Sequence, residues 1–78
     1  MERDRIAVAV ANARVAARVR ELRIDAGLTM HDVADALGVS YQQVYKYETG
    51  QNRFSAGAIA IVARRLNVEP SAFYESVP

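Results

Sequence analysis

The sequence predicts an all-α fold in one small domain. A chain of 78 residues leaves room for a single domain. Four glycines and two prolines are few for a turn-rich β-fold. Apolar residues recur at helical spacing between these glycines. An apolar fraction of 51% is too high for a disordered chain, so the protein is expected to fold through packed helices.

The first predicted helix runs from about Asp4 or Asn12 to Ala26. Its apolar residues recur at spacings of three and four and share one face: Val15, Val19, Leu22 and Ala26. Gly27 supplies a left-handed stop. Residues 6–10 alternate apolar side chains with alanine, which fits a short strand, although the alanines suit a helix equally well. We therefore predict a helical extension over residues 1–14, ahead of a domain over residues 15–78.

Capping residues mark the remaining helices. Thr29 is a good N-cap for a second helix that ends at Gly38, and Asp32 three residues on resembles a capping box. Ser40 caps a third helix and Ser55 a fourth. Their predicted ranges are Tyr41–Thr49 and Ala56–Leu66, with Asn67 as a left-handed stop. Pro70 opens a short fifth helix that ends near residues 74–75, with Phe73 as its core anchor.

The residue inventory argues against an enzyme, a metal site or a cofactor. The absence of cysteine removes disulfides, thiolate zinc sites and cysteine nucleophiles. His31 is the only histidine, and Asp32 and Asp35 have neither a third ligand nor a nucleophile beside them. The longest apolar run, residues 6–11, is too short for a membrane span. We therefore expect a cytoplasmic protein with no membrane partner.

The net charge of +1 hides an uneven distribution. Residues 1–23 carry six arginines and three acidic residues, whereas residues 24–78 have a net charge of −2. Residues 40–47 contain one lysine and no acidic residue. The arginines of the first helix are expected to form a solvated face, with contact to a phosphate backbone as the alternative.

The second and third helices form a pattern typical of a helix-turn-helix. They are separated by Gly38, Val39 and Ser40, in which the glycine permits the turn, the valine fills the angle and the serine caps the third helix. The outer face of residues 41–47 is polar and free of acid, as a helix that enters a DNA major groove requires.

Residues over most of the chain resemble the Cro/XRE helix-turn-helix family, which includes phage repressors and bacterial regulators. The resemblance rests on Leu22-Arg23-x3-Gly27-Leu28-Thr29, Val33-Ala34-x2-Leu37-Gly38-Val39-Ser40 and Val44-x-Lys46-Tyr47-Glu48-x-Gly50. The tail, Ile59-x2-Val62-Ala63-x2-Leu66-Asn67-Val68-x4-Phe73-Tyr74, resembles the family's last two helices. The resemblance implies a five-helix lambda-repressor-like domain, with the helix-turn-helix at helices 2 and 3 and an extended helix 1.

The family's DNA contacts carry over to particular residues. Tyr41, Gln42 and Lys46 occupy positions that reach base edges. Glutamine can bond bidentately to adenine and lysine can donate to guanine, so these residue types fit that role. Positions that contact phosphates or flanking groups are occupied by Thr29, His31, Ser40, Gln43, Tyr45, Asn52 and Arg53.

One position departs from the family pattern. The family usually has a phosphate-anchoring glutamine at the start of helix 2, where this chain has Met30 followed by His31. Either His31 or backbone amides take over this contact, or the anchor is lost and binding is weaker.

The family resemblance also implies structural roles for other residues. Arg23 and Glu48 are expected to form an internal ion pair between helices 1 and 3, with two unrelated surface charges as the alternative. Ile61, Arg65 and Tyr74 are expected at a dimer seam.

Together these features predict a homodimeric transcriptional regulator of repressor or controller type. It would bind double-stranded DNA at a palindromic operator, as a nucleoid-associated protein of a bacterium or a phage. The alternative is an antitoxin-like or adaptor protein that binds a protein partner through residues 1–14.

Overall fold

The computed structural model describes residues 2–77 and contains four α-helices and one 3-10 helix over that range. Their bounds are α1 Glu2–Asp25, α2 Met30–Leu37, α3 Tyr41–Glu48, α4 Ala56–Leu66 and the 3-10 helix Pro70–Tyr74. No strand forms among these residues. Met1 and Pro78, the ends of the two predicted ranges 1–14 and 15–78, lie outside the described residues. No helix of the described chain is long and apolar enough to cross a membrane.

The prediction of five α-helices is wrong in its last element. Residues 70–74 form a 3-10 helix, in which the amide of Ala72 donates to the carbonyl of Glu69 at 2.9 Å. Pro70 occupies the first turn and has no amide hydrogen. Five residues make little more than one turn, and short segments of this length commonly adopt 3-10 geometry. Phe73 is nevertheless fully buried, as expected of the core anchor.

Helix α1 is 24 residues long and projects beyond the core. Residues 3–10 are all exposed, and the first core residue is Val15. The alternating residues 6–10 form helix because no strand lies beside them in the described chain and alanine has the highest helix propensity. Ala26 does not belong to the buried face that the spacing predicted. The helix ends at Asp25, and Ala26 is exposed beyond it.

Local caps set the bounds of α2, α3 and α4. Thr29, Ser40 and Ser55 each accept a backbone hydrogen bond from the residue three positions on, so each satisfies a free amide at a helix start. At the opposite ends, Gly38 and Asn67 adopt the left-handed conformation, with φ of 69° and 58°.

The core lies where α1, α2, α3, α4 and the 3-10 helix meet. It is built mainly from aliphatic side chains and one phenylalanine: Val15, Val19, Val33, Ala34, Val44, Ile59, Val62, Ala63, Leu66 and Phe73. Two arginines of α1 hold the C-terminal segment against this core. The Arg14 guanidinium donates to the Ser76 carbonyl at 3.0 Å, and Arg18 donates to the Ala72 carbonyl at 3.2 Å and to Glu75 at 3.1 Å. These two arginines therefore attach the C-terminal segment to α1.

Candidate nucleic-acid interface

The turn between α2 and α3 places α3 across the surface of the domain. Gly38 adopts φ of 69°, which a glycine adopts at little cost, and its amide donates to the carbonyls of Ala34 and Asp35. Val39 is half-buried and packs against the core. The Ser40 hydroxyl then accepts from the Gln43 amide at 3.1 Å and starts α3. Each residue of the turn therefore contributes to the angle between the two helices.

Helix α3 has one buried face and one solvent-exposed face. Val44 and Glu48 are buried, and the Tyr47 ring stacks on the Phe54 ring at a centroid distance of 4.6 Å. The opposite face is exposed and carries the three residues expected to read bases, together with one expected at the backbone. These are Tyr41, Gln42, Lys46 and Tyr45. They line one shallow cleft, which makes their functional groups available to a single ligand.

Gln43 is half-buried, unlike the exposed residues Gln42 and Lys46 of α3. The Gln43 side-chain amide donates to the Asn52 side-chain oxygen at 3.3 Å, and the Asn52 backbone amide donates to the Lys46 carbonyl at 3.1 Å. The loop after α3 is therefore bonded to α3 itself. Arg53 follows on this loop and is exposed. Gln43 and Asn52 lie together, and each retains polar atoms for a further contact.

The start of α2 lies beside the start of α3. The His31 ring stacks on the Tyr41 ring with a centroid distance of 4.5 Å and an interplanar angle of 24°. Met30 turns the other way and packs against the core. His31, one residue after the position where the family has its glutamine, therefore contacts the start of α3 through ring stacking.

Thr29 is an exposed cap whose backbone amide donates to the Asp32 carboxylate at 2.8 Å. This hydrogen bond is the main reason that the pKa of Asp32 is lowered, and the Thr29 hydroxyl and the charges of Arg65 and His31 lower it further. The carboxylate is thus committed to capping α2. It lines none of the clefts described on the surface of α3.

A buried ion pair joins α1 to α3. Arg23 Nε donates to Glu48 Oε2 at 2.7 Å, and Arg23 Nη2 donates to Glu48 Oε1 at 3.0 Å. Arg23 Nη1 also donates to the Leu28 carbonyl at 2.8 Å. The Arg23 and Glu48 side chains are 10% and 2% exposed. This geometry fixes the last turn of α3 relative to α1.

The residues expected at a dimer seam lie on α4 and on the 3-10 helix. Ile61 and Arg65 are one helical turn apart on the exposed side of α4, and Tyr74 lies on the 3-10 helix that packs against α4. The Ile61 and Tyr74 side chains are 38% and 46% exposed.

Two residues at this surface were not predicted from the sequence. Gln51 lines the same cleft as Tyr41 and Lys46, and Asn12 of α1 lies across a second cleft from the loop of residues 50–54. The polar loop at residues 51–53 was a usable signal for Gln51. Asn12 gave none, because its place opposite the loop depends on how α1 packs. No group of three or more metal-binding side chains occurs among the described residues.

Comparisons with known proteins agree with this geometry. The sequence model of the helix-turn-helix family matches residues 19–73. The uncharacterised HTH-type transcriptional regulator y4wC of Sinorhizobium fredii is 41% identical over 64 residues, which are 82% of this chain and 45% of that protein. An uncharacterised transcriptional regulator from the ATPase CF(0) region of Rhodospirillum rubrum is 38% identical over 66 residues, which cover 85% and 61% of the two chains.

A solved structure shows the same fold. The restriction-modification controller protein C.AhdI from Aeromonas hydrophila matches with a TM-score of 0.74 and 31% identity, over 80% of this chain and 94% of that chain. The chain spans about half the length of the curated relatives of Sinorhizobium that it matches. Since the family match covers more than half of the chain and runs through both helices of the motif, the protein belongs to the helix-turn-helix family.

Proposed function

We propose that the protein is a transcriptional regulator that binds double-stranded DNA in a sequence-specific manner. The observation that carries the proposal is the outward face of α3, where Tyr41, Gln42 and Lys46 are exposed. This helix follows the turn that begins at Gly38. Two of them match base edges chemically: glutamine pairs with adenine and lysine with guanine. The names of the relatives and of the controller protein support the same function.

Contacts to the DNA backbone would position this helix. The polar side chains around α3 carry hydroxyls, amides, an imidazole and one guanidinium, and none of them is acidic. They are Thr29, His31, Ser40, Gln43, Tyr45, Asn52 and Arg53. Such groups hold a protein in register on the duplex without reading sequence. Because His31 is stacked on Tyr41, it would fix the direction of that side chain and leave a ring nitrogen for a phosphate.

The regulator is proposed to act as a homodimer on a palindromic operator. One eight-residue helix contacts too few base pairs for useful specificity, whereas two copies read half-sites about 34 Å apart. Ile61, Arg65 and Tyr74 supply an exposed mixed surface on α4 and the 3-10 helix for this pairing. Repressor or controller activity is part of the proposal, and the controller protein C.AhdI supports it.

Selection from a random duplex library at about 150 mM salt tests this function. The expected result is an enriched palindrome with half-site centres about one helical turn apart. Binding that disappears as salt rises, with no enriched motif, would show only the electrostatic attraction and would contradict the proposal.

A second candidate function rests on residues 1–14, which we propose as an extension distinct from the domain of residues 15–78. Ile6, Val8 and Val10 are 58%, 54% and 40% exposed, and Ile6 and Val10 lie about one helical turn apart on the same side of α1. They suit a protein partner, as in an antitoxin-like or adaptor protein. Deletion of residues 1–12 discriminates the two functions, because it would abolish partner binding and leave the selected DNA motif unchanged.

A further inference from the structure

Three clefts follow one another on the surface of the described chain, and each shares at least one lining residue with the next. The first lies on α3 and is lined by Tyr41, Gln42, Tyr45, Lys46 and Gln51. The second lies between α1 and the loop of residues 50–54 and shares Gln51 with the first. The third lies further along α1 and shares Ala9 and Asn12 with the second. We call this surface, from α3 to Arg5, the α1 track.

The geometry of α1 explains why the track exists. Arg5, Ala9, Asn12, Ala16 and Arg23 follow one another at spacings that place them on the same face of the helix. Ala16 and Arg23 are buried, and Arg23 is bonded to α3. The same face therefore continues past the loop as α1 extends beyond the core. Ala16 is eleven positions after Arg5, so the face continues for about 16 Å.

The side chains along the track suit an anionic strand. The middle cleft has donors on both walls, with Asn12 on α1 and Gln51, Asn52 and Arg53 on the loop, and no carboxylate lines it. The alanines of α1 leave it open, at about 420 Å³. Arg5 lines the outer cleft, where Asp4 is the one acidic residue. Guanidinium and amide groups in a row are the groups that contact DNA phosphates.

We propose that Arg5 and Asn12 form a second phosphate-binding site, so that the DNA strand contacted by the loop after α3 continues along α1. The inference rests on the proposed function, since it extends the DNA contact beyond the helix-turn-helix. Arg5 supplies the charge that neutralises a phosphate outside the base pairs read by α3. Asp4 opposes it at the outer end and sets a limit on the affinity gained.

The test compares two arginines that differ in which side of α1 they occupy. Arg3 is two residues from Arg5, about 160° around the helix, and lines none of the three clefts. Binding of the selected duplex is measured against salt concentration for the full chain, for Arg5→Gln and for the matched control Arg3→Gln. Both residues are exposed and precede the first core residue, so circular dichroism should show folded proteins.

Because the proposed homodimer carries two copies of Arg5, Arg5→Gln is expected to lower the slope of log K against log salt by about 1.8 and to weaken binding about 30-fold at ~150 mM salt, while Arg3→Gln changes neither. Asp4→Asn is expected to tighten binding. The Arg5→Gln effect should disappear on a duplex trimmed to the enriched motif and return when about five base pairs are added at each end.

Equal effects of the two arginine substitutions would show a general charge effect and would overturn the proposal. An unchanged slope for Arg5→Gln, on a wild-type protein that binds its motif, would also overturn it and leave the proposed function intact. A wild-type protein that binds no duplex would reject both, and the two failures are therefore distinguishable.

Discussion

Removing one partner of the buried Arg23–Glu48 pair should destabilise the fold strongly. The Glu48 side chain is 2% exposed in the structure, and Arg23→Ala removes both of its hydrogen bonds from the guanidinium. The Leu28 carbonyl loses its donor as well. A charge that is held out of water without a partner is the costly product of this substitution.

The expected cost is about 3–5 kcal/mol of the free energy of unfolding, as for other buried pairs that lose one member. In a domain of this size each kcal/mol lowers Tm by about 4–8 °C, so the predicted loss is at least about 12 °C. The double substitution Arg23→Met with Glu48→Leu should regain most of this loss, because apolar residues of similar volume remove the charge together with its partner.

Thermal unfolding followed by circular dichroism measures these differences. Arg64→Ala is the matched control, because Arg64 is exposed on α4 and its loss should cost less than about 1 kcal/mol. A decrease in Tm of less than about 4 °C for Arg23→Ala would refute the reasoning, since the buried carboxylate would then have found another way to be solvated. A double variant as unstable as the single one would place the cost in the Leu28 carbonyl or in lost packing.

Two further predictions concern the caps. Gly38→Ala should lower the free energy of unfolding by about 1–2 kcal/mol, because alanine is strained at φ of 69°. Gly57→Ala, in α4 with open space around it, should instead raise it by about 0.5–1 kcal/mol. Urea unfolding of both variants measures the two changes, and changes of the same sign would contradict this prediction. Asp32→Asn should destabilise at pH 7. A carboxylate whose pKa is lowered below 3.8 contributes stability above that pH and loses it in acid, so the difference from wild type should vanish there; a difference independent of pH would contradict this.

The elements that sequence reasoning placed well are those that local chemistry determines. The caps at Thr29, Ser40 and Ser55 bond to residues three positions away, and the left-handed stops at Gly38 and Asn67 need only backbone freedom. Such interactions form within one segment, so the segment alone predicts them. The bounds of α2 and α4 follow from these caps.

Interactions between segments were harder to predict from the sequence. The His31–Tyr41 stack and the contacts of Arg18 with the C-terminal segment depend on how helices pack, and no spacing in the sequence signals them. The positions of Arg23 and Glu48 came from the family resemblance, whereas their bidentate geometry and burial come from the structure. Residues 6–10 were ambiguous because they contact no core and their pattern fits two structures. The last helix was misjudged because five residues leave α and 3-10 geometry close in energy.

Parallel selection of DNA by the wild-type protein and by Lys46→Ala tests most directly whether α3 reads bases. We expect both proteins to enrich the same palindrome. Lys46→Ala should lose preference at one base pair in each half-site, at a cost of about 1–3 kcal/mol, and Arg64→Ala should lose none. Identical base preferences for wild type and Lys46→Ala, in two proteins that bind the motif, would contradict the claim that Lys46 contacts a base edge from the major groove.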